Sequence, residues 1–236
     1  MKIKNIIKRF LHIPRNWFKK MSGVFSLTDN GERVDINYNQ PIDQNRLDKY
    51  QKSHLKRYEY ALKNINENDV VADLACGTGY GSVMLATKAK TVTGLDFNHR
   101  VINKIKKRYK NIKNVAFFEA NILDIDYNDN FDLIVSFETL EHFKENDIRK
   151  LFLLYNKALK PGGRLIISTP YMQENSVRAL EMGFHQTFHI DESKVENWLK
   201  NSGFELLSIK YQNYDTHDLK DEEEKKDFVI CLAKKK

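Results

Sequence analysis

Between Val70 and Pro170, short apolar runs rich in β-branched residues alternate with amphipathic stretches, and this rhythm limits the possible folds more than anything else in the chain. The runs predict strands over 69–75, 91–96, 115–119, 131–137 and 163–169. The stretches between them predict helices over 80–88, 98–109 and 145–159. Strands that read as continuous hydrophobic runs are buried on both faces, so the pattern implies βαβ units and a parallel sheet covered by helices on each side. Ahead of this block, Leu47, Tyr50, Leu55, Tyr58 and Leu62 recur near period 3.6 and predict a helix from Gln44 to about Asn64. Behind it the rhythm breaks. A helix over 191–201 precedes GFELLSIKYQ and DFVICLAK, two strands joined by an acidic linker, which predict an antiparallel hairpin at the sheet edge. No internal repeat is visible.

With 236 residues, the chain has room for one large domain with appendages. Its 41% hydrophobic and 30% charged residues suit a globular protein and exclude disorder. Two cysteines, Cys76 and Cys231, build neither a disulfide framework nor a structural zinc site, so a reducing cytoplasm is expected. No apolar run approaches the roughly 20 residues that span a bilayer, and no secretory signal is expected.

The net charge of +7 is concentrated at one end. Residues 1–20 hold seven basic side chains and no acid; the other 32 basic side chains are matched by 32 acids. The division expected is a basic amphipathic arm over 1–20, a connector rich in Gly, Asn, Asp and Gln over 21–45, and a neutral body over 46–236. A neutral body lacks the phosphate footprint of a nucleic-acid binder, so no nucleic-acid partner is expected. In the arm, Ile3, Ile6, Ile7, Phe10 and Leu11 share one helical face, and Trp17–Phe18 follow Pro14. Two readings stand: a helix lying at an anionic membrane surface, peripheral to the cytoplasmic face, or a stripe packed on the body or a second subunit. The oligomeric state is left open.

In the stretch Val70-Val71-Ala72-Asp73-Leu74-Ala75-Cys76-Gly77-Thr78-Gly79-Tyr80-Gly81, a buried strand ends in an acid and enters a turn with three glycines before a helix. Glycine allows positive φ and lets a ligand press on bare backbone, while N–H groups at the helix start face it. Taken alone, such a turn is shared by NAD, FAD and S-adenosylmethionine (SAM) proteins. The next strand, Thr91–Phe97, ends in Asp96, 19 residues after Gly77. A carboxylate there can accept from both hydroxyls of an unphosphorylated ribose. Asn98 is better placed than Asp96 to cap the following helix.

Two further stretches complete the pattern: Phe131-Asp132-Leu133-Ile134-Val135-Ser136-Phe137-Glu138-Thr139-Leu140-Glu141-His142-Phe143, and Leu159-Lys160-Pro161-Gly162-Gly163-Arg164-Leu165-Ile166-Ile167-Ser168-Thr169-Pro170. In this order and spacing, the four motifs resemble the class I SAM-dependent methyltransferases. The resemblance implies a doubly wound, Rossmann-like α/β fold with a seven-stranded sheet, order 3-2-1-4-5-7-6 and strand 7 antiparallel. It further implies SAM as cofactor, with S-adenosylhomocysteine (SAH) as product. Carried over by position, Asp73, Ala75, Cys76, Gly77 and Gly79 surround the methionine moiety, Asp96 holds the ribose and Phe97 lies against ribose and adenine. Asn121, with Ile122, stands where the family often has an adenine-binding Asp, and Phe137 completes the pocket. Ala75 occupies the first glycine position of the loop, a departure expected to be tolerated.

Methyl transfer from a sulfonium needs an aligned acceptor and, for a hydroxyl, a proton acceptor. Those groups are expected beyond the C-terminal ends of strands 4 and 5. His142 is the natural base near neutral pH, or alternatively a polar cap of the next helix. Glu138 faces the sulfonium or the acceptor, and Glu141 tethers the loop. The long connection Pro170–Ile190 reads as a binding loop carrying Tyr171, Phe184, His185, Phe188 and His189. His185 and His189 have i, i+4 metal-ligand spacing, but no carboxylate partner stands out, so hydrogen bonding is preferred and no metal is expected.

The combination HLKRYEYA, ADLACGTGYGS, VSFETLEH and ISTP resembles methyltransferases found with bacterial surface-polysaccharide genes. This implies O-methylation of a sugar, a glycan precursor or its phosphate modification. The alternatives are another small acceptor, such as a quinone precursor, or a SAM-binding regulator without turnover.

Overall fold

The structure, a computed structural model, describes residues 27, 33–38, 40–171, 183 and 185–236. The expected arm over 1–20 and Phe184 of the binding loop lie outside them. Seven strands form one sheet: β1 (Val70–Leu74), β2 (Thr91–Asp96), β3 (Val115–Glu119), β4 (Phe131–Phe137), β5 (Leu159–Pro170), β6 (Phe204–Gln212) and β7 (Phe228–Lys235). Their order is β3-β2-β1-β4-β5-β7-β6. Pairs among the first five are parallel, and β7 runs antiparallel between β5 and β6, as expected of the fold. The strand order turns back between β1 and β4, which places ligand-binding positions at the C-terminal tips of these strands.

Among the described residues, five helices flank the sheet: α1 (Lys49–Lys63), α2 (Tyr80–Leu85), α3 (His99–Arg108), α4 (Glu145–Ala158) and α5 (Glu192–Asn201). Helix α1 starts later than its periodicity predicts, because Asp48 and Gln51 form a reciprocal capping box there. The residues before it make a separate 3₁₀ turn, Gln44–Arg46, capped by Asp43. Helix α2 ends at Leu85, three residues short of the expected end. Strand β5 begins at Leu159, immediately after α4, with a register shift against β4 around Pro161-Gly162-Gly163.

Successive residues of a strand face opposite sides of a sheet, and β4 shows the consequence. Ile134 packs with α4 and α5 through Leu151, Phe152, Trp198 and Leu199. Its neighbours Leu133 and Val135 pack with α1 and α2 through Leu55, Tyr58, Met84 and Leu85. Each fully buried aliphatic side chain contributes about 2 kcal/mol, so both faces anchor the strand tips rigidly. Part of the expected connector joins this core: Ile36 is buried with Leu55 and Tyr58. No helix among the described residues is long and apolar enough to cross a membrane.

Candidate active site

The turn after β1 is held from below. Asp73 is fully buried and accepts hydrogen bonds from Ser82 Oγ (2.6 Å) and Tyr58 Oη (3.2 Å). Burial raises its pKa to about 6, against the two hydroxyl donors that favour the charged form. Ala75, Gly77 and Gly79 all take positive φ, at 62°, 53° and 75°. A Cβ on Gly79 would meet the Phe117 ring at 2.9 Å, so only glycine closes the turn against β3. A Cβ on Gly77 would meet nothing within 4 Å. That open backbone leaves room for a ligand to lie against the main chain, so the residues present fit the SAM that the resemblance implies. The Cys76 backbone bonds to Leu95, while its buried thiol is kept protonated by burial and the nearby Asp73 and Asp96. Tyr80 opens α2 with a buried hydroxyl that has no hydrogen-bond partner among the described residues.

Asp96 ends β2 beside this turn. One carboxylate oxygen accepts from Asn98 N (2.8 Å) and the other from Gly77 N (3.1 Å). Each oxygen retains a lone pair for a further donor. Asn98 caps α3, accepting from Arg100 N and Val101 N. Phe97 follows at 70% exposure, an apolar ring left uncovered at the tip. Asn121 caps the 3₁₀ turn Ile122–Asp124 through Leu123 N and donates to Asp124 Oδ2 (2.8 Å), so both ends of its amide already have partners. Ile122 is buried below it, and Phe137 packs edge-on against Tyr58 at 5.0 Å.

The segment 33–38 straps this region. Arg33 lies 3.6 Å from Asp96, Thr78 donates to Val34 O, and Arg108 pairs with Asp35 at 2.6 Å.

At the tip of β4, Glu138 adopts φ 48°, a left-handed conformation that costs a non-glycine residue about 1 kcal/mol or more. Its backbone N–H donates to Ser168 O (3.0 Å), and its carboxylate accepts from Ser168 Oγ (2.9 Å). Arg57, wholly buried on α1, reaches the same carboxylate oxygen at 3.1 Å. Gln212 Oε1 and the Phe228 ring hold Arg57 in place. Burial raises the Glu138 pKa, opposed by Arg57. The 3₁₀ turn Leu140–His142 follows. Buried Glu141 accepts from Thr169 Oγ1 (3.1 Å), and burial together with Glu138 pushes its pKa well up. The His142 and His185 rings meet edge-on at 5.2 Å. Burial and the proximity of His142 lower the His185 pKa to about 4.

The structure thus gathers Glu138, Glu141, His142 and His185 at the tip of β4. His189 sits exposed with φ 54°, and His142 rather than His189 meets His185. Arg57 and Arg33 were not singled out as site residues in the sequence. Arg57 shares its helix face with Ser53 and Ala61, one turn away on each side and both buried.

A family model described as "Methyltransferase domain" matches residues 65–203. A probable SAM-dependent methyltransferase of Mycolicibacterium smegmatis is 26% identical over 140 residues, 58% of this chain and 52% of that protein. The chain thus spans about half the length of that relative. A ubiquinone biosynthesis O-methyltransferase of Coxiella burnetii is 29% identical over 166 residues, 64% of this chain and 69% of that protein. The crystal structure of a SAM-dependent methyltransferase from Clostridium acetobutylicum superposes with a TM-score of 0.61 at 16% identity, covering 81% of this chain and 94% of the other.

Proposed function

The chain belongs to the methyltransferase-domain family, and from that premise we propose that it methylates a hydroxyl of a small acceptor bound beyond the tips of β4 and β5. The family's cofactor is SAM, which supplies an electrophilic methyl group on a sulfonium. The turn Ala75–Gly79 leaves its backbone open at Gly77 for the methionine end. Asp96 receives the ribose hydroxyls, Phe97 covers the ribose and adenine, and Asn121 and Ile122 border the base. Glu138, His142 and His185 orient the acceptor and receive its proton. The acceptor oxygen bonds to the methyl carbon as the sulfur–methyl bond breaks, releasing SAH and one proton.

The observation carrying this reading is the convergence of His142, buried Glu141 and partly buried Glu138 at the tip of β4 with His185 from a distant segment, apart from the turn that fits the cofactor. A sugar or glycan precursor of surface-polysaccharide biosynthesis is the acceptor class favoured here. Two features support it: the four-part sequence combination described above, and an arm with seven basic residues suited to the membrane face where lipid-linked glycans are assembled. The second reading is a quinone precursor, favoured by the similarity to a ubiquinone biosynthesis O-methyltransferase.

The test incubates the full chain and SAM with nucleotide sugars, lipid-linked glycans and hydroxylated quinone precursors, and follows SAH and methylated product by mass spectrometry. SAH formed in step with a methylated glycan supports the proposal; a methylated quinone precursor selects the second reading. Tight SAM binding without turnover on any acceptor leaves a SAM-binding regulator.

A further inference from the structure

The structure assigns a site for one divalent transition-metal ion to Glu141, His142 and His185. One ligand atom from each lies within 4.8 Å of the other two. Metal–nitrogen and metal–oxygen distances of about 2.0–2.2 Å place two ligands of one ion no more than about 4.4 Å apart. Small side-chain rotations therefore close the set.

The backbone around the cluster is tied together in a way that fixes its donors. Glu141 O accepts from both Gln186 N (2.7 Å) and Thr187 N (3.2 Å). Gln186 Nε2 donates to His142 O (3.0 Å), and Thr187 Oγ1 donates to Phe143 O (2.6 Å). Four hydrogen bonds thus hold the segment after His185 against the turn that carries His142. Thr169 Oγ1 occupies Glu141 Oε2, while Oε1 lies 4.0 Å from His142 Nε2. Metal-binding carboxylates are oriented by such outer hydrogen bonds.

The chemistry of the donors points the same way. A carboxylate that is 2% exposed is costly to bury as an anion unless a cation faces it. Arg57 makes its ion pair with Glu138, although its charge also reaches Glu141. Two imidazoles and one carboxylate suit zinc, iron(II), cobalt(II) or manganese(II) better than calcium or magnesium, which prefer oxygen ligands. Three protein ligands leave coordination positions open. The His142 side chain is 32% exposed, so small molecules reach the site from solvent. Resting on the acceptor-site reading above, His142 and His185 would then serve as ligands in place of taking the proton themselves, and the ion would bind the acceptor oxygen and ease loss of its proton to water before the oxygen attacks the methyl carbon.

The full chain, stripped with EDTA and desalted, is titrated with cobalt(II) chloride, and the visible d–d bands of bound Co²⁺ are followed. One saturable equivalent is expected. His142→Gln and His185→Gln should each weaken it at least about tenfold, whereas His189→Gln should leave it unchanged. Calorimetric titration of every variant with SAH confirms that each is folded. It also separates the two claims: SAH binding without a cobalt site overturns the metal assignment and leaves the methyltransferase reading intact. A cobalt site without SAH binding does the reverse. Cobalt binding that survives His185→Gln overturns the assignment to this cluster.

Discussion

Around the glycine turn, the carboxylates of Asp73 and Asp96 take backbone and hydroxyl donors from their own strand–turn–helix unit, with Tyr58 and the segment 33–38 added from outside; the tip of β4 is assembled from four distant parts of the chain. Asp73 meets Ser82, and Gly77 meets Asp96, over 9 and 19 residues. Glu138 instead depends on Ser168 and Arg57, and Glu141 on Thr169 and the segment after His185. Helix α1 serves both ends with consecutive residues, Arg57 toward Glu138 and Tyr58 toward Asp73. On the proposed reading, a largely local scaffold presents the cofactor, while long-range contacts are free to shape the acceptor's surroundings. Substitutions at the two ends should therefore separate in what they affect, binding at one and turnover at the other.

The sharpest test of that separation is His142. A positioned base, or a ligand of an activating ion, contributes about 10²–10⁴-fold in rate. His142→Gln is expected to lower kcat by at least about tenfold while SAH affinity, measured by calorimetry, stays within about threefold. A collapse of SAH affinity would mean that the two ends are not independent.

How much was legible follows the same divide. The strands, their burial and the hairpin could be read because apolar periodicity and glycine placement are local signals. The glycine turn after β1 was legible as a turn for that reason, as was Asn98 rather than Asp96 as the cap of α3. Arg57 was not singled out, because a lone arginine among Lys and Tyr reads as surface until tertiary packing with Gln212 and Phe228 explains its burial. The opposition of His142 and His185 was equally hidden. Spacing of four residues made His189 the natural partner, whereas hydrogen bonds through Gln186 and Thr187 bring His142 opposite instead. The left-handed backbone at Ala75 and Glu138 also has no signal in residue type.

At the cofactor end, Gly81 is expected to show the largest stability effect. A Cβ there would lie 2.0 Å from the Tyr58 ring, which itself bonds to Asp73. Overpacking of this kind costs about 1–3 kcal/mol, and so close an approach belongs at the upper end. Gly81→Ala should lower the denaturation midpoint accordingly and weaken SAH binding through the displaced turn. Unchanged stability would show that α1 moves aside freely, and that the scaffold is softer than its packing implies.

Asp96 carries a smaller, more specific effect. Its carboxylate offers acceptor capacity beyond the bonds from Asn98 and Gly77. Asp96→Ala should weaken SAM binding at least about tenfold, or about 1.4 kcal/mol. Calorimetry reads this directly, and unchanged affinity would remove Asp96 from the ribose-binding role.

The smallest expected effect concerns Ala75, the residue at the first glycine position of the turn. Its φ of 62° places a Cβ where left-handed backbone costs an L-residue about 1–2 kcal/mol. Glycine would relieve that strain, but it also frees the unfolded chain, an entropic loss of about 0.4–1 kcal/mol. The difference predicts that Ala75→Gly stabilises the fold by about 0.5 kcal/mol in urea denaturation, with SAH affinity unchanged or slightly improved. A destabilised variant would mean that the Ala75 methyl makes packing contacts worth more than its strain. The departure from glycine would then be a feature of this turn's stability and not merely a tolerated cost.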